Sequence, residues 1–481
     1  MGRRSAKRRG RPEAAAPREA GARAPARGRR WWLGLLVAGL HLALVLDVAR
    51  QPLATEAGPD THRALIWPLH NDAIHRIGPG ADFFAVYHAG QALEAGLDPY
   101  QQGELVRRTP YWFPFRYLPT VGHTLGRAAI AFAPRTAYLL WLALTELVLW
   151  GLVLLIARRV AACWRRDLAL GALLLSSPYL LELHMGQFTF VTVAAVALAL
   201  LLESATGPAS PTDGPPRPRW SARLAAAMSY AAAVLLKLFP VVAAPALLRQ
   251  RRYWPMLTLA LAGLGAALLH DLAGQPQQAR AFWELNFSQP VGGMDCGNVG
   301  LVYAGYLALQ RLWPAWQAEH WSTLLGLWRL LVLGASALVV LFARRRDVIV
   351  GVALLLLAHF VSYVHVWEHH ASGILVLSVL LLLATTQGDA PATRARRWGT
   401  VLVVGALLLL ALPTPFAWLD SAKDPRVLDP SATWSLAARY AVVLSKALPT
   451  LVLFLVALSW QLEAGLAWPS RRPLRGRPRG G

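Results

Sequence analysis

The sequence is poor in cysteine and in charge. Its 481 residues include only two cysteines, Cys163 and Cys296, with no CxxC pair and no zinc-type spacing. This excludes a disulfide framework and a cysteine-rich metal site. Charged residues make up 15% of the chain, whereas soluble domains carry about 25%. A string of ordinary soluble domains is therefore not expected.

The chain is correspondingly rich in apolar residues. They form 56% of the chain, and the mean hydropathy is +0.40. The twenty tryptophans suit a protein with two membrane–water interfaces, where indole rings accumulate. A net charge of +22 is also typical of nucleic-acid-binding proteins. The basic residues lie mostly in tails and in short loops between apolar runs, so we predict a membrane protein with no nucleic-acid partner.

The apolar runs predict an all-α polytopic membrane protein with about 11–13 transmembrane or re-entrant helices. Residues 1–30, rich in Arg, Ala, Gly and Pro, are predicted to be a disordered basic tail. Residues 31–48 follow as a retained anchor rather than a signal peptide, because the run is long and no clear A-x-A site follows it. The later runs lie at 136–157, 168–183, 187–203, 253–271, 323–343, 347–361, 369–386, 398–416 and 439–460.

Residues 221–249 form an apolar run of a different kind. Lys237 and Pro240 lie near its middle, and basic residues lie at both of its ends. Proline interrupts a helix, and a lysine in the centre of a simple span is unfavourable. We therefore predict a helical hairpin or a broken helix with the sequence KLFP at its apex.

The positions of the arginine and lysine residues predict how the chain is oriented in the membrane. If residues 221–249 form a hairpin, seven segments that hold 32 of the 48 basic residues lie on one face. The positive-inside rule makes that face the cytoplasmic side of the cell membrane. Both termini, with the basic tail at 461–481, and the flexible linker at 204–220 are then cytoplasmic. The transmembrane domain covers residues 31–460, and its first extracytoplasmic loop covers 49–135. The two cysteines fall on opposite sides, so no disulfide is expected.

The first extracytoplasmic loop carries a carboxylate at a predicted helix start. The sequence from Phe83 to Leu93 has helical apolar spacing, and GLDPY ends the helix. Asp82 stands at or just before the N-terminus of this helix. Two roles remain open for it: an N-cap, which is a common use of aspartate, or a catalytic carboxylate held at the membrane surface.

Lys237 is the second candidate. A lysine within an apolar run costs about 2.5–3.5 kcal/mol on insertion scales and usually faces a cavity or a partner, although snorkelling to the interface is an alternative. A cation beside a broken helix would suit an anionic phosphate. Glu146 lies in the middle of a predicted span, and we assign it to hydrogen bonding between helices.

Further polar residues fall on the same predicted face. Helix ends and turns explain such residues in many proteins, so each has an ordinary alternative. His365 and His369 would share a helical face, as zinc ligands do, but no convincing third ligand is near and no metal is expected. Two roles remain open for these histidines: a phosphate-binding imidazole pair, or a base partner for a carboxylate. The candidates on this face are Asp82, Arg116, Tyr117, Gln187, Lys237, Asn298, His365, His369 and His370.

An ordered set of motifs resembles glycosyltransferase family 87, the polyprenyl-phosphate-mannose-dependent mannosyltransferases of the GT-C superfamily. The set covers roughly residues 30–390, so the likeness extends over most of the chain. The matching pieces are DFFAVYHAGQALEAGLDPY, FRYLP, GQFTF, LLKLFP, GNVGL and the paired histidines of WEHHASGILV.

The resemblance implies a GT-C-type fold and an inverting, metal-independent hexosyltransferase without a cofactor. Its partners would be a polyprenyl-phosphate sugar donor, a glycolipid or glycan acceptor, and membrane lipids. Asp82 would be the catalytic base, and Lys237, His369 and His370 would bind the donor phosphate. The residues implied to line the site are Tyr87, Arg116, Tyr117, Gln187, Asn298 and His365.

A transporter or flippase for a lipid-linked or anionic substrate is the alternative, because broken helices and intramembrane charges also occur in transporters. A transporter would place its polar residues near the membrane midplane and show two related halves. The sequence shows no internal symmetry, which favours the transferase. A purely structural scaffold would not explain polar residues gathered on one face.

Overall fold

The computed structural model describes residues 31–53, 79–101, 114–204, 220–288, 298–313, 318–344, 347–386, 393–415, 434–463 and 465. The predicted N-terminal tail, most of the C-terminal tail at 461–481, most of the linker at 204–220 and Cys296 lie outside these residues. Cys163 is a free thiol. The predicted all-helical polytopic architecture is confirmed.

The described part of the chain is built from α-helices. In chain order they are α1 (Trp31–Arg50), α2 (Ala81–Glu94), α3 (Pro119–Val121), α4 (Arg127–Ile130), α5 (Pro134–Arg159), α6 (Trp164–Leu175), α7 (Ser177–Met185), α8 (Thr189–Glu203), α9 (Trp220–Leu236), α10 (Ala244–Leu248), α11 (Trp254–Gly274), α12 (Pro276–Trp283), α13 (Leu301–Leu312), α14 (Ala318–Phe342), α15 (Val348–Ser362), α16 (Ala371–Ala384), α17 (Arg394–Ala411) and α18 (Leu436–Leu462). Short 3₁₀ turns occupy Phe239–Ala243, Arg251–Tyr253 and Glu368–His370, and π-helical turns occupy Gly122–Gly126 and Glu284–Ser288.

Six helical segments among the described residues are long and apolar enough to cross a membrane. They are Trp32–Arg50, Pro134–Arg159, Trp164–Met185, Arg251–Gly274, His320–Phe342 and Leu436–Leu462. Five shorter apolar helices accompany them, at Thr189–Glu203, Trp220–Leu236, Phe239–Leu248, Val348–Ser362 and Glu368–Ala384. Every residue of α15 and α16 is buried, so this pair forms the centre around which the other helices pack.

The predicted span at 168–183 is interrupted, which the apolar pattern did not indicate. Ser176 is extended (φ −77°, ψ 132°) and separates α6 from α7, whose second residue is Pro178. A proline in the first turn of a helix has no N–H to lose, so α7 begins there without an unpaired donor. The break also leaves the carbonyl of Leu174 without its helical partner, and the ring of His41 binds that carbonyl at 2.6 Å through Nδ1.

His41 also joins the N-terminal helix to the interior of the bundle. Its Nε2 lies 2.9 Å from Glu146 Oε2, and that carboxylate accepts hydrogen bonds from Trp150 Nε1 (3.1 Å) and the Tyr179 hydroxyl (2.7 Å). The carboxylate is therefore shared by side chains of α1, α5 and α7. The prediction that Glu146 serves hydrogen bonding between helices agrees with this geometry.

Helices α8 and α9 are antiparallel neighbours. At one end, Arg223 Nε lies 3.6 Å from Glu203 Oε1. At the other end, Lys237 Nζ donates to the hydroxyl of Thr189 at 2.8 Å. The chain then turns through Phe239–Ala243 and returns as α10, so Lys237 lies at the apex of a broken hairpin, as the sequence predicted.

Basic side chains join helix ends on the side opposite this apex. Arg249 donates to the carbonyls of Val340 (2.8 Å) and Ala343 (2.6 Å), at the last turn of α14. Likewise, Arg165 donates to the carbonyl of Thr385 at 2.9 Å, just beyond the end of α16. Cations at helix C-termini interact favourably with the unpaired carbonyls. The described basic loops therefore lie together at one end of the bundle.

Cysteine labelling tests which end faces the cytoplasm. In a chain with Cys163 and Cys296 replaced by serine, we expect Ala95→Cys to react with a membrane-impermeant maleimide in intact cells. Ala162→Cys should react only after the membrane is opened, because the positive-inside rule places the basic end in the cytoplasm. Both alanines are exposed, so neither result depends on burial. Labelling of both sites from the same side would contradict the topology.

Candidate functional site

Two backbone turns bring the predicted polar residues together at the non-basic end of the bundle. Gly186, in the turn between α7 and α8, has φ +63°, and a Cβ there would lie 2.7 Å from Phe83 Cβ. Only glycine allows this turn to approach the start of α2 so closely. The N–H of Gly80 also donates to the carbonyl of His184 at 2.6 Å. The start of α2 is thus fixed against the turn that carries Gln187.

Asp82 does not cap its helix. The N-cap position is Gly80, in the left-handed region with φ +81°, and no side chain caps the helix. Asp82 lies instead in the first turn, and the N-cap alternative suggested by the sequence is wrong. Its Oδ2 atom is shielded from solvent and has no hydrogen-bond partner among the described residues. An aspartate with an unused, shielded oxygen is available to a substrate, which a capping aspartate is not.

The environment of Asp82 shifts the pKa of its carboxyl group toward neutral pH. Burial raises the pKa of Asp82 to about 7, and the opposing effects are the charge of Lys237 and a hydrogen-bonding contact with the Gln187 side chain. Desolvation disfavours the charged form of a carboxylate, while a nearby cation and a donor favour it. A carboxyl group with a pKa near the working pH is suited to general acid–base chemistry.

Lys237 interacts with two carboxylates. The charges of Glu182 and Asp82 both act on it, and its Nζ donates to Thr189 at 2.8 Å. Glu182 is fully buried and accepts hydrogen bonds from the Phe190 N–H (2.7 Å) and the Ser372 hydroxyl (2.8 Å). The two protein donors hold this carboxylate in place beside the lysine. Sequence reasoning did not include Glu182 in the site, although an acidic residue within an apolar run was the available signal.

Gln187 connects Asp82 to the paired histidines. Its Oε1 accepts the N–H of Phe188 at 2.8 Å, which fixes the orientation of the amide. Its Nε2 must then donate, and it lies 3.2 Å from His369 Nε2. An accepting Nε2 carries no proton, so the remaining proton of the neutral His369 ring lies on Nδ1. Here, the amide hydrogen-bond network assigns the tautomer.

His370 is fixed in the complementary tautomer. Its Nδ1 accepts the N–H of Trp367 at 3.0 Å, which leaves the proton on Nε2. The centroids of the His369 and His370 rings are 4.3 Å apart. Each imidazole therefore has one nitrogen occupied by the protein and one N–H donor left over. Two adjacent neutral donors close to Lys237 can bind an anion without adding charges that repel the lysine.

The other predicted residues differ in whether they lie at the site. Tyr117 is at the site, where its hydroxyl lies 3.4 Å from Gln187 Oε1. Arg116 is exposed, and its charge acts on Tyr363. Tyr87 instead donates its hydroxyl proton to the carbonyl of Phe132 at 3.0 Å. Tyr87 thus supports the packing of α2 in this arrangement.

Asn298 holds two segments of backbone together. Its Nδ2 donates to the Val364 carbonyl at 2.6 Å, and its Oδ1 accepts the N–H of Gly300 at 2.9 Å and of Val366 at 3.3 Å. The fully buried amide thus fixes the strand-like segment that leads into Glu368–His370. Its contribution to the site is the position of the histidine pair.

His365 does not share a helical face with His369. Residues 363–367 follow the end of α15 and precede the 3₁₀ turn, so the assumed i, i+4 spacing on a helix is wrong. The ring of His365 lies 6.4 Å from that of Tyr363. Within the described ranges, no group of three His, Cys, Asp or Glu side chains could hold a metal ion.

Together these residues form a polarised site. Asp82 and Glu182 provide negative charge that acts on Lys237, and the charge of Lys237 in turn acts on the two imidazoles. Such an arrangement can remove a proton from a neutral group while it stabilises an anion next to that group.

We expect Glu182→Gln to destabilise the protein. The change removes one of the two negative charges that balance Lys237. It also places an amide NH₂ group against a hydrogen-bond donor that, in the parent, donates to the carboxylate. The loss of a buried, charged hydrogen-bond partner costs about 1–3 kcal/mol. Thermal unfolding in detergent, which gives the melting temperature, measures this loss of stability.

Glu284→Gln is the matched control. Glu284 is exposed, and its ion pair with Arg280 (2.7 Å) is a surface pair, for which at most about 1 kcal/mol is expected. Equal melting temperatures for the Glu182 variant and the parent would show that Glu182 does not balance the lysine.

Comparisons with known proteins match a family model and solved structures. The family model of glycosyltransferase family 87 matches residues 124–367, just over half of the chain. This range contains Gln187, Lys237 and Asn298 but ends before His369 and begins after Asp82. The crystal structure of ArnT from Cupriavidus metallidurans in the apo state aligns with a TM-score of 0.30 and 16% identity, over 90% of this chain and 77% of that chain. Among curated proteins, none matches the chain.

Proposed function

The chain belongs to glycosyltransferase family 87, and from that premise we propose that it transfers a sugar, specifically mannose, from a polyprenyl-phosphate donor. The acceptor is a hydroxyl group of a glycolipid or glycan on the extracytoplasmic face of the cell membrane. The observation that supports this proposal best is the shielded carboxylate of Asp82, with its pKa near 7, beside Lys237 and the paired imidazoles.

Asp82 is the proposed general base. It takes the proton of the acceptor hydroxyl as the oxygen attacks the anomeric carbon of the donor sugar. The new bond joins that oxygen to the anomeric carbon, and the bond between the anomeric carbon and the phosphate oxygen breaks. The electron pair leaves with the polyprenyl phosphate, and the proton stays on Asp82 until solvent removes it. Attack opposite the leaving group inverts the anomeric configuration.

The cation and the imidazole N–H donors of the site stabilise the leaving group. A polyprenyl-phosphate sugar is a phosphodiester with one negative charge, and departure of the sugar adds a second charge to the phosphate. Lys237 and the N–H groups of His369 and His370 are suited to bind this developing charge, because their positions are already fixed by protein hydrogen bonds. A phosphate leaving group of this kind needs no strong general acid.

An assay with purified protein tests the activity. Incubation with radiolabelled polyprenyl-phosphate-mannose and a lipid extract should give a labelled glycolipid and release polyprenyl phosphate. Replacement of the label by glucose in a parallel incubation tests the sugar. Recovery of intact donor on the opposite side of a proteoliposome, with no new glycoside, would contradict transfer and favour a transporter.

Asp82→Asn should reduce turnover by about 10²–10⁴-fold, the usual contribution of general-base assistance. Asparagine keeps the size of the side chain and its place in the first turn, so the fold and the binding of donor should be retained. Asp98→Asn is the matched control in the same loop, since its side chain accepts the N–H of Tyr100 (3.0 Å) and an amide oxygen can do the same. Transfer by Asp82→Asn within a few-fold of the control would rule out this base.

The pH dependence follows from the same residue. Because the pKa of Asp82 is raised to about 7, the carboxyl is protonated and inactive as a base at lower pH. We expect kcat/KM to fall about tenfold per pH unit below 7 and to level off above it. The residual activity of Asp82→Asn should lack this acidic limb. An acidic limb centred near pH 4, the range of an ordinary aspartate, would contradict the assigned environment.

A further inference from the structure

Arg329 is a charge that the proposed mechanism does not use. It lies within α14, on an otherwise apolar stretch of the span His320–Phe342, and its side chain is half-buried. Neighbouring leucines on this helix face outward: Leu327 is 60% exposed and Leu330 is 71% exposed. An arginine in a lipid-facing span is unfavourable and marks a functional position by default.

The guanidinium lies over an aromatic ring at the edge of the site. Its Cζ is 5.7 Å from the centroid of Tyr363. The Tyr363 ring is stacked on His359 at 5.0 Å, and its centroid is 6.2 Å from that of His370. A hydrogen bond from Trp328 Nε1 to the Val361 carbonyl (3.5 Å) fixes α14 against α15 at this level. Arg329 is thus separated from the histidine pair by a single ring.

Two positive charges act on Tyr363. Arg116 and Arg329 both act on its hydroxyl, and Lys237 acts together with Arg329 on His359. Among the described residues, no carboxylate forms an ion pair with Arg329. Two guanidinium groups, neither of them in an ion pair among the described residues, therefore act on Tyr363, and the two carboxylates of the site act on Lys237. Cations gathered without matching carboxylates predict an anionic ligand.

We propose that Arg329 binds the phosphate of the polyprenyl-phosphate donor from the lipid side of the site, opposite Lys237 and His370. The inference rests on the proposed function, because it assigns a residue to the donor of that reaction. It adds the direction of entry: the donor reaches the site from the bilayer, past α14, and its phosphate meets Arg329 first.

The chemistry of the side chain suits this role. A guanidinium presents a planar set of donors that can bind two phosphate oxygens at once, and it stays charged in surroundings of low polarity. Stacking on Tyr363 leaves the edge of the guanidinium, where its N–H groups lie, free for such contacts. The competing explanation is that Arg329 only packs on Tyr363, which would give it a role in stability and none in binding.

Binding of the unglycosylated lipid separates these explanations. The parent, Arg329→Met, Arg329→Lys and Arg311→Met are reconstituted in phosphatidylcholine nanodiscs and titrated with polyprenyl phosphate, with native mass spectrometry as the readout. Arg311 is the matched control, since it is exposed at the end of α13. Polyprenol, inorganic phosphate and phosphatidic acid serve as competitors, and thermal unfolding without ligand is measured for each variant.

We expect Arg329→Met to weaken polyprenyl phosphate binding about 10- to 100-fold, the range for a lost hydrogen bond to a charged group. Arg329→Lys should recover part of the loss, Arg311→Met should match the parent, and polyprenol should not compete. If the Met variant does not fold, the Lys variant decides, because it keeps the charge and loses only the paired donors. Its binding should then be measurably weaker at unchanged thermal stability.

Three results would overturn the inference. Equal binding by Arg329→Met and Arg311→Met, or by Arg329→Lys and the parent where only Lys folds, would leave the proposed transferase intact but remove Arg329 from its donor site. Equal competition by phosphatidic acid or inorganic phosphate would show a general phosphate site rather than a donor site. No binding of polyprenyl phosphate by the parent would overturn both the inference and the proposed donor.

Discussion

The site depends on the charge interaction of the half-buried Lys237 with two carboxylates. A lone ammonium group there would be too unfavourable to persist, so Asp82 and Glu182 must lie close to it. The two carboxylates are held differently. Glu182 has its oxygens occupied by the Phe190 N–H and the Ser372 hydroxyl, whereas Asp82 retains a shielded oxygen without a described partner. The two carboxylates therefore differ in how far protein donors satisfy their oxygens.

The same requirement explains why the site is made from helix ends. Polar side chains at membrane depth need partners, and the ends of helices supply unpaired backbone groups that serve as those partners. The Trp367 N–H fixes His370, and the Phe188 N–H fixes the Gln187 amide. The backbone thus determines which nitrogen of each imidazole carries its proton. Histidines on continuous helices would have lacked this control.

The sequence was a good guide wherever periodicity and hydropathy carried the information. The helices, the apex at Lys237 and the role of Glu146 between helices all follow from where apolar runs stop and where a charge interrupts them. Predictions that required tertiary contacts were less successful. The sequence allowed Asp82 to be a cap or a base, and the structure excludes the cap by assigning that position to Gly80.

Other misses share the same physical cause. The spacing of His365 and His369 suggested one helical face, but Asn298 binds the intervening backbone in an extended form, which no local pattern reveals. Glu182 and Arg329 were visible as charges within apolar runs. Their significance depends on what faces them from distant segments, namely Lys237 and Tyr363.

The hydrogen bonds of His41 have a consequence for the order in which the protein is made. His41 in α1 is synthesised before its partner Glu146, which follows 105 positions later. Until then the imidazole has neither the carboxylate nor the free carbonyl of Leu174, and a polar ring in bare hydrocarbon is unfavourable. Helix α1 must therefore remain beside the insertion machinery, or at the membrane surface, until α5 and the break after α6 have been synthesised.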